Sequence, residues 1–246
     1  MLKKIFILLF IFSNLLQASE HKAFFAINVN GVPEPEQLVQ ILNVSVLLTF
    51  LFLLPTLFLM MTTFTRFIIV FSLLKQALGL QQIPPAKIMT GLALLMTLFI
   101  MKPIGMESYN SGIKPYLDKK ISYTVAFEKI ASPFKKFMMQ NTREKDLALF
   151  YRIRKVDNSK STEVPLLTLI PAFMTSELKT AFEIGLLLFI PFVIIDIVVS
   201  AVLMSLGMMM LPPSLISMPI KIGFFVILDG WNLLISSLSN SFILGA

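Results

Sequence analysis

Two stretches of this chain share one frame, a glycine, four residues and a proline pair: Gly79-Leu-Gln-Gln-Ile-Pro84-Pro85 and Gly207-Met-Met-Met-Leu-Pro212-Pro213. Each lies between apolar segments. Glycine accepts the left-handed backbone that ends a helix, and proline suits the first turn of the next one. Each frame therefore predicts the bend of a helical hairpin. Laying residues 66–88 over 194–216 gives eight identities in 23 positions, Gly79/Gly207, Pro84/Pro212 and Pro85/Pro213 among them. Aliphatic matches are cheap in apolar sequence, but the shared frame is not, and the chain reads as two hairpins of one plan. Repeated broken apolar helices are a habit of transport proteins, which place the functional element at the interruption.

Composition fixes the solvent. Hydrophobic residues make up 56% of the 246, and only 14% are charged, against roughly 45 to 50% apolar in a soluble domain. With a mean hydropathy of +0.83, this is the composition of an integral membrane protein, and with the hairpin frames the expected fold is all-α. The absence of cysteine excludes thiolate nucleophiles, disulfides and thiolate metal sites, and His21 alone builds no histidine cluster. No cofactor is expected. The net charge of +7 does not signal nucleic acid, because 14 of the 21 Lys and Arg lie between Lys102 and Lys179 among eight acids, as in a solvated domain.

Residues 1–18 combine Lys3 and Lys4 with the apolar run Ile5 to Phe12 and a cleavage point after Ala18, the plan of a signal peptide. Leu16 stands where a small residue is preferred, so the segment is either cleaved or kept as an anchor. A short segment, 19–40, follows, expected outside the cytoplasm on the periplasmic side and polar up to about Pro33 and Pro35. Four apolar zones come next: Ile41 to Met61, Ile88 to Met101, Ile184 to Leu206 and Leu215 to about Ile235. A crossing helix needs about 20 apolar residues, so only two zones look comfortable: the second is short and Lys221 interrupts the fourth. Pro55 and Pro191 sit inside the first and third, tolerated where neighbouring helices satisfy the freed backbone groups.

The expected organisation is a first hairpin over 41–101, bent at 79–85, a helical outer domain over 102–179, and a second hairpin over 180–246, bent at 207–213. Arg66, Lys75 and Lys87 in the first turn satisfy the positive-inside rule. The basic outer segment offends it, but that rule is weak for loops beyond about 60 residues. Within the outer segment, Ser132-Pro133 predicts a helix start, Asn141 or Thr142 a second cap, and Lys155 to Val164 a loop.

Asp196 stands alone among isoleucines and valines, and Lys221 alone between Ile220 and Ile222. Unpaired, each is costly within a membrane. Their midpoint falls between Met208 and Met209, so in a hairpin both sit roughly 18 Å behind the tip and level with each other. Pairing within the hairpin, or with a neighbouring copy, competes with a snorkelling lysine over a protonated aspartate. A direct pair predicts that a charge-swapped double variant recovers function lost by single swaps. At the tip, Met208, Met209 and Met210 are flexible and polarisable. They are either apolar filler or, if several copies surround an axis, a deformable plug; filler is the more ordinary reading.

Longer blocks carry a resemblance. Met61-Thr-Thr-Phe-Thr-Arg-Phe-Ile-Ile-Val-Phe-Ser-Leu-Leu-Lys-Gln-Ala-Leu-Gly79 with Gln81-Gln-Ile-Pro-Pro85 resembles the FliP family of flagellar export proteins and its injectisome relatives. So do Pro171 to Gly185, Pro191 to Asp196 running on to Pro213, Asp229-Gly-Trp-Asn-Leu-Leu234, and Asn141 to Phe150 within the outer domain. The similarity extends from about Leu47 onward. It implies a ring of five copies that joins FliQ and FliR, alongside FlhB and FlhA, in the type III export gate of the bacterial inner membrane and flagellar basal body. It further implies a helical cone displaced toward the periplasm, and a methionine loop, here Met208 to Met210, that seals the pore until unfolded polypeptide passes. The family's charged positions map onto Asp196 and Lys221. The signal segment and long outer domain resemble the flagellar branch more than the injectisome one. No Gly-x4-Gly-Lys-Ser/Thr loop is present, so energy would come from partners. An ion-coupled transporter using Asp196, or a structural scaffold, are the rivals from other classes.

Overall fold

Helix follows helix through the described residues of the computed structural model, which are 35–80, 84–154, 164–208 and 210–242, and no strand occurs among them. The signal segment, Gln81, Gln82, Met209 and the expected loop from Lys155 lie outside the described residues. Contacts divide the chain into two units, 1–53 and 54–246.

The first helix, α1 (Pro35–Met60), carries Pro55 in its interior. A turn at residues 61–63 leads to α2 (Phe64–Ala77), and α3 (Ala86–Ser108) follows the first bend. A π-helical turn, Tyr109–Ile113, joins α3 to the short α4 (Lys114–Leu117). Then come α5 (Tyr123–Gln140), α6 (Glu144–Arg154), the 40-residue α7 (Leu166–Ser205), α8 (Ser214–Ile227) and α9 (Gly230–Asn240). Leu38–Met60, Ala86–Leu117 and Leu166–Ser205 are each long and apolar enough to cross a membrane, and α8 with α9, bent by 65°, makes a fourth if taken together.

Several sequence expectations change here. The second apolar zone is not short, because α3 runs on past Met101 with Lys102 exposed on its surface. A single solvated lysine does not stop a helix. Likewise no break separates the outer segment from the second hairpin, since residues 179 and 180 are consecutive within α7. The fourth zone does not break at Lys221 but at Asp229, which takes a left-handed conformation with φ 49° ahead of Gly230. There a β-carbon on Gly230 would lie 2.3 Å from the Phe225 ring, so only glycine lets α9 fold back so closely.

Ser132-Pro133 does not start a helix either. Pro133 is buried in the middle of α5, whose N-cap is Ser122. Proline cannot donate to the carbonyl four residues back, that of Lys129. The neighbouring turn packs hydroxyls against this stretch: the Ser111 hydroxyl, which donates to Glu107 O at 2.8 Å, also lies 3.3 Å from Lys129 O, and the buried Ser108 hydroxyl at the end of α3 donates to Ile130 O at 3.0 Å. Gly112 makes this approach possible, because a β-carbon there would meet the Ile130 backbone nitrogen at 2.9 Å. At the other end of α5, Asn141 and Thr142 donate back to Phe137 O and Met138 O.

The core runs along α7. On its first half, α6 is stitched antiparallel: the Arg143 amide donates to Ser176 Oγ, which donates to Asp146, and Arg154 donates to Thr168 at 2.7 Å. Arg143 also pairs with Glu183 at 2.6 Å, and that hydrogen bond raises the guanidinium pKa above its ordinary value. Along the rest of α7 lies α2, close enough that a β-carbon on Gly185 would sit 2.2 Å from Leu73 Cδ1. A line of rings, Phe173, Phe137, Phe242, Phe67, Phe71, Trp231, Phe225 and Phe192, links these helices with centroids 5.5 to 6.5 Å apart. Offset and edge contacts of this kind add about 0.5–1.5 kcal/mol per pair beyond area burial.

Candidate functional site

The two glycine-proline frames end their first helices alike, although Pro85 is extended (ψ 141°) and Pro213 helical (ψ −28°). Gly79 and Gly207 have φ +75° and +72°. At the first, the Gly79 and Leu80 amides donate to Gln76 O and Lys75 O, both at 3.0 Å. At the second, the Gly207 and Met208 amides donate to Met204 O and Leu203 O at 3.1 and 3.0 Å. These are paired Schellman closures, which satisfy carbonyls the helix end leaves open. Past the loops, Pro85 O accepts from Ile88 and Met89, and Pro213 O from Ile216 and Ser217. Pro84 and Pro212 hold the equivalent places one residue earlier.

The second tip is apolar and bare. Leu211 donates to Met208 O at 3.3 Å, closing a turn. Met208 is 40% exposed and Met210 98% exposed, so neither fills a core within its own chain.

Behind that tip, Lys221 Nζ donates to Asp196 Oδ2 at 2.5 Å within one chain. The two residues are unequal. Lys221 is 5% exposed, whereas the Asp196 side chain is 43% exposed. The ammonium does not reach outward; it turns into the protein and donates a second bond to the backbone carbonyl of Ala77 at 3.1 Å. Ala77 is the last residue of α2. Its carbonyl has no partner within the helix, and a cation at a helix C-terminus is favoured by the helix dipole.

A second buried charge cluster escaped the sequence reading, which counted Arg66 as a turn charge. Arg66 is 3% exposed on α2 and faces Glu177, 0% exposed, on α7. Arg66 Nε donates to Glu177 Oε2 at 2.8 Å, and Nη2 donates to Oε1. Nη1 donates to the Ser241 carbonyl and hydroxyl at 3.0 and 2.7 Å, and the guanidinium lies 3.8 Å over the Phe242 ring. The signal was available: Arg66 precedes the run Phe67-Ile68-Ile69-Val70-Phe71, and a lone charge in an apolar helix marks a buried partner as surely there as at Asp196.

These helices, with polar links buried between apolar faces and bends at glycine-proline frames, define an all-helical protein with three or four segments fit to cross a membrane. Residues 47–238 match the profile of the FliP family. Over 217 residues the chain is 47% identical to a flagellar biosynthetic protein FliP from Bacillus subtilis, covering 88% of this chain and 98% of the relative. A Caulobacter vibrioides protein of the same name is 48% identical over 90% of this chain and 84% of its own length. One from Pectobacterium carotovorum is 52% identical over 80% and 77%. The chain belongs to the FliP family.

Proposed function

We propose that this chain is the pore-forming subunit of a flagellar type III protein export gate. Several copies, five on the family pattern, surround an axis with FliQ and FliR and adjoin FlhB and FlhA in the bacterial inner membrane. The assembled helices form a cone raised toward the periplasm, with residues 102–179 on the periplasmic side and residues 1–18 directing export of the N-terminus. The methionine bend of each copy points to the axis, and together the bends close the path of unfolded polypeptide. The gate conducts and does not catalyse.

The observation that carries this reading is Met210, an apolar side chain 98% exposed at the tip of a rigidly capped hairpin. Three flexible thioethers at such a tip adapt to one another and to a moving chain without a fixed shape. The curated relatives named above all carry a flagellar name, which favours the flagellar over the injectisome gate.

Replacing Met208 to Met210 with alanine tests the seal. Cells or vesicles carrying the variant should leak ions and small solutes through the resting gate; unchanged permeability would sink the seal. One observation favours a second reading, the half-exposed Asp196 carboxylate, which suits an ion-coupled transporter. That reading predicts lost solute uptake without a leak from the same variant.

A further inference from the structure

The two bends lie far apart in sequence, yet one side chain joins the helix ahead of the first to the arm behind the second. Lys221, on α8, donates to Asp196 on α7 at 2.5 Å and to the Ala77 carbonyl of α2 at 3.1 Å. Ala77 stands two residues ahead of Gly79, the left-handed residue of the first bend. Lys221 is nearly buried, so neither bond is traded easily for water. Asp196 alone would hold α8 against α7 and close the second hairpin on itself. The carbonyl bond does something different: it registers the returning arm of the methionine hairpin against the end of α2.

At its other end α2 is held as firmly, by the Arg66 bonds to Glu177 and to Ser241 near the C-terminus. The helix leading into the first bend is thus fixed at both ends to the C-terminal half of the chain. Between those ends Leu73 packs over Gly185.

We infer that Lys221 is a positioning residue that couples the two bends, making α2 and the first bend a brace for the methionine bend. On the gate reading above, on which the purpose of the coupling rests, the methionine tip does not swing alone. Displacing it either carries the end of α2 with it or breaks the Lys221 bond to Ala77 O. The first bend is then the support of the seal and not a second constriction.

The chain has no cysteine, which makes the test direct. Spin labels at Gln76→Cys, exposed on the last turn of α2, and at Leu215→Cys, 63% exposed on the first turn of α8, report one distance. The labelled full chain is diluted into unlabelled chain in the assembled complex, so that only distances within one chain are read. The wild-type background should give a single narrow distance, retained in Lys221→Arg, whose guanidinium still donates to both oxygens. Lys221→Met should lose it.

Because an unpaired buried charge destabilises, the decisive variant is Asp196→Leu with Lys221→Met, which removes both charges together. It should fold and still lose the narrow distance. A narrow distance in that double variant overturns the coupling. So does Asp196→Asn if it loses the distance as fully as Lys221→Met, since the ion pair and not the carbonyl bond would then hold α8 in register. The leak caused by Met208 to Met210 replacements is read separately. An absent leak with a Lys221-dependent distance therefore refutes the seal alone, and a leak without that dependence refutes the coupling alone.

Discussion

Arg66 and Glu177, 111 residues apart in the chain, meet as a two-bonded ion pair almost wholly shielded from solvent. Burying two charges costs several kcal/mol of lost hydration each, which the pair recovers only when its hydrogen bonds are complete. Here they are: both carboxylate oxygens accept from the guanidinium, whose remaining nitrogen serves Ser241. Arg66→Ala or Glu177→Ala should therefore destabilise the protein by about 3–5 kcal/mol, whereas Arg66→Met with Glu177→Leu should cost far less. Thermal unfolding in detergent, followed by the fluorescence of the single tryptophan, Trp231, compares them. Equal losses from the single and double variants would contradict this account.

The bend glycines are required by backbone conformation and not by space. Nothing lies within 4 Å of a β-carbon built on Gly79 or Gly207, yet both have positive φ. Alanine at either should cost about 1–2 kcal/mol, the strain of a left-handed residue, and asparagine less. Unfolding of the four single variants gives the order; a neutral Gly207→Ala would remove the conformational explanation.

Gly112 presents the opposite case. Its added β-carbon would meet Ile130 Cγ1 at 2.5 Å and the Ile130 backbone nitrogen at 2.9 Å, and backbone cannot rotate away. Gly112→Ala should cost about 1–3 kcal/mol by forcing α5 off the π-turn. Ser108→Ala, which removes the hydroxyl bond to the Ile130 carbonyl one turn before Pro133, should cost about 1 kcal/mol. Amide exchange across α5 would locate both effects, and protection unchanged near residues 126–134 would contradict them.

The charge-swap experiment suggested by the sequence changes its expected result. Asp196→Lys with Lys221→Asp restores opposite charges, but it places a carboxylate against the Ala77 carbonyl, where two acceptors repel. Aspartate is also two bonds shorter than lysine. Swarming motility should therefore stay lost in the swap, although each residue is paired in the native chain. Full recovery by the swap would mean that the Ala77 bond is dispensable.

The glycine-proline frames were readable because a cap closes within a few residues, so Gly79 and Gly207 carry their own conformational instruction. The long apolar helices were readable for the same reason, although a lone lysine at 102 or 221 looked like an interruption. It was not, because a lysine ends a helix only if its charge has nowhere to go, and Lys102 lies exposed on its helix surface while Lys221 finds Asp196 and Ala77. Pro133 misled in the same way: proline need not end a helix that its packing holds, and α5 lies close against Gly112 with the Ser108 hydroxyl bonded to Ile130 O.

The sequence by itself determined the helical class, the two bends and the family, since each depends on neighbours a few residues away or on long matched blocks, whereas the exposure of Met208 and Met210 came only with the structure. Only the tertiary structure decided that Arg66 belongs to Glu177 and Ser241, and that Lys221 is shared between Asp196 and the end of α2. Those choices depend on how α2 lies along α7 over Gly185. That packing is a cooperative outcome of many weak contacts between segments more than a hundred residues apart, which no local spacing encodes.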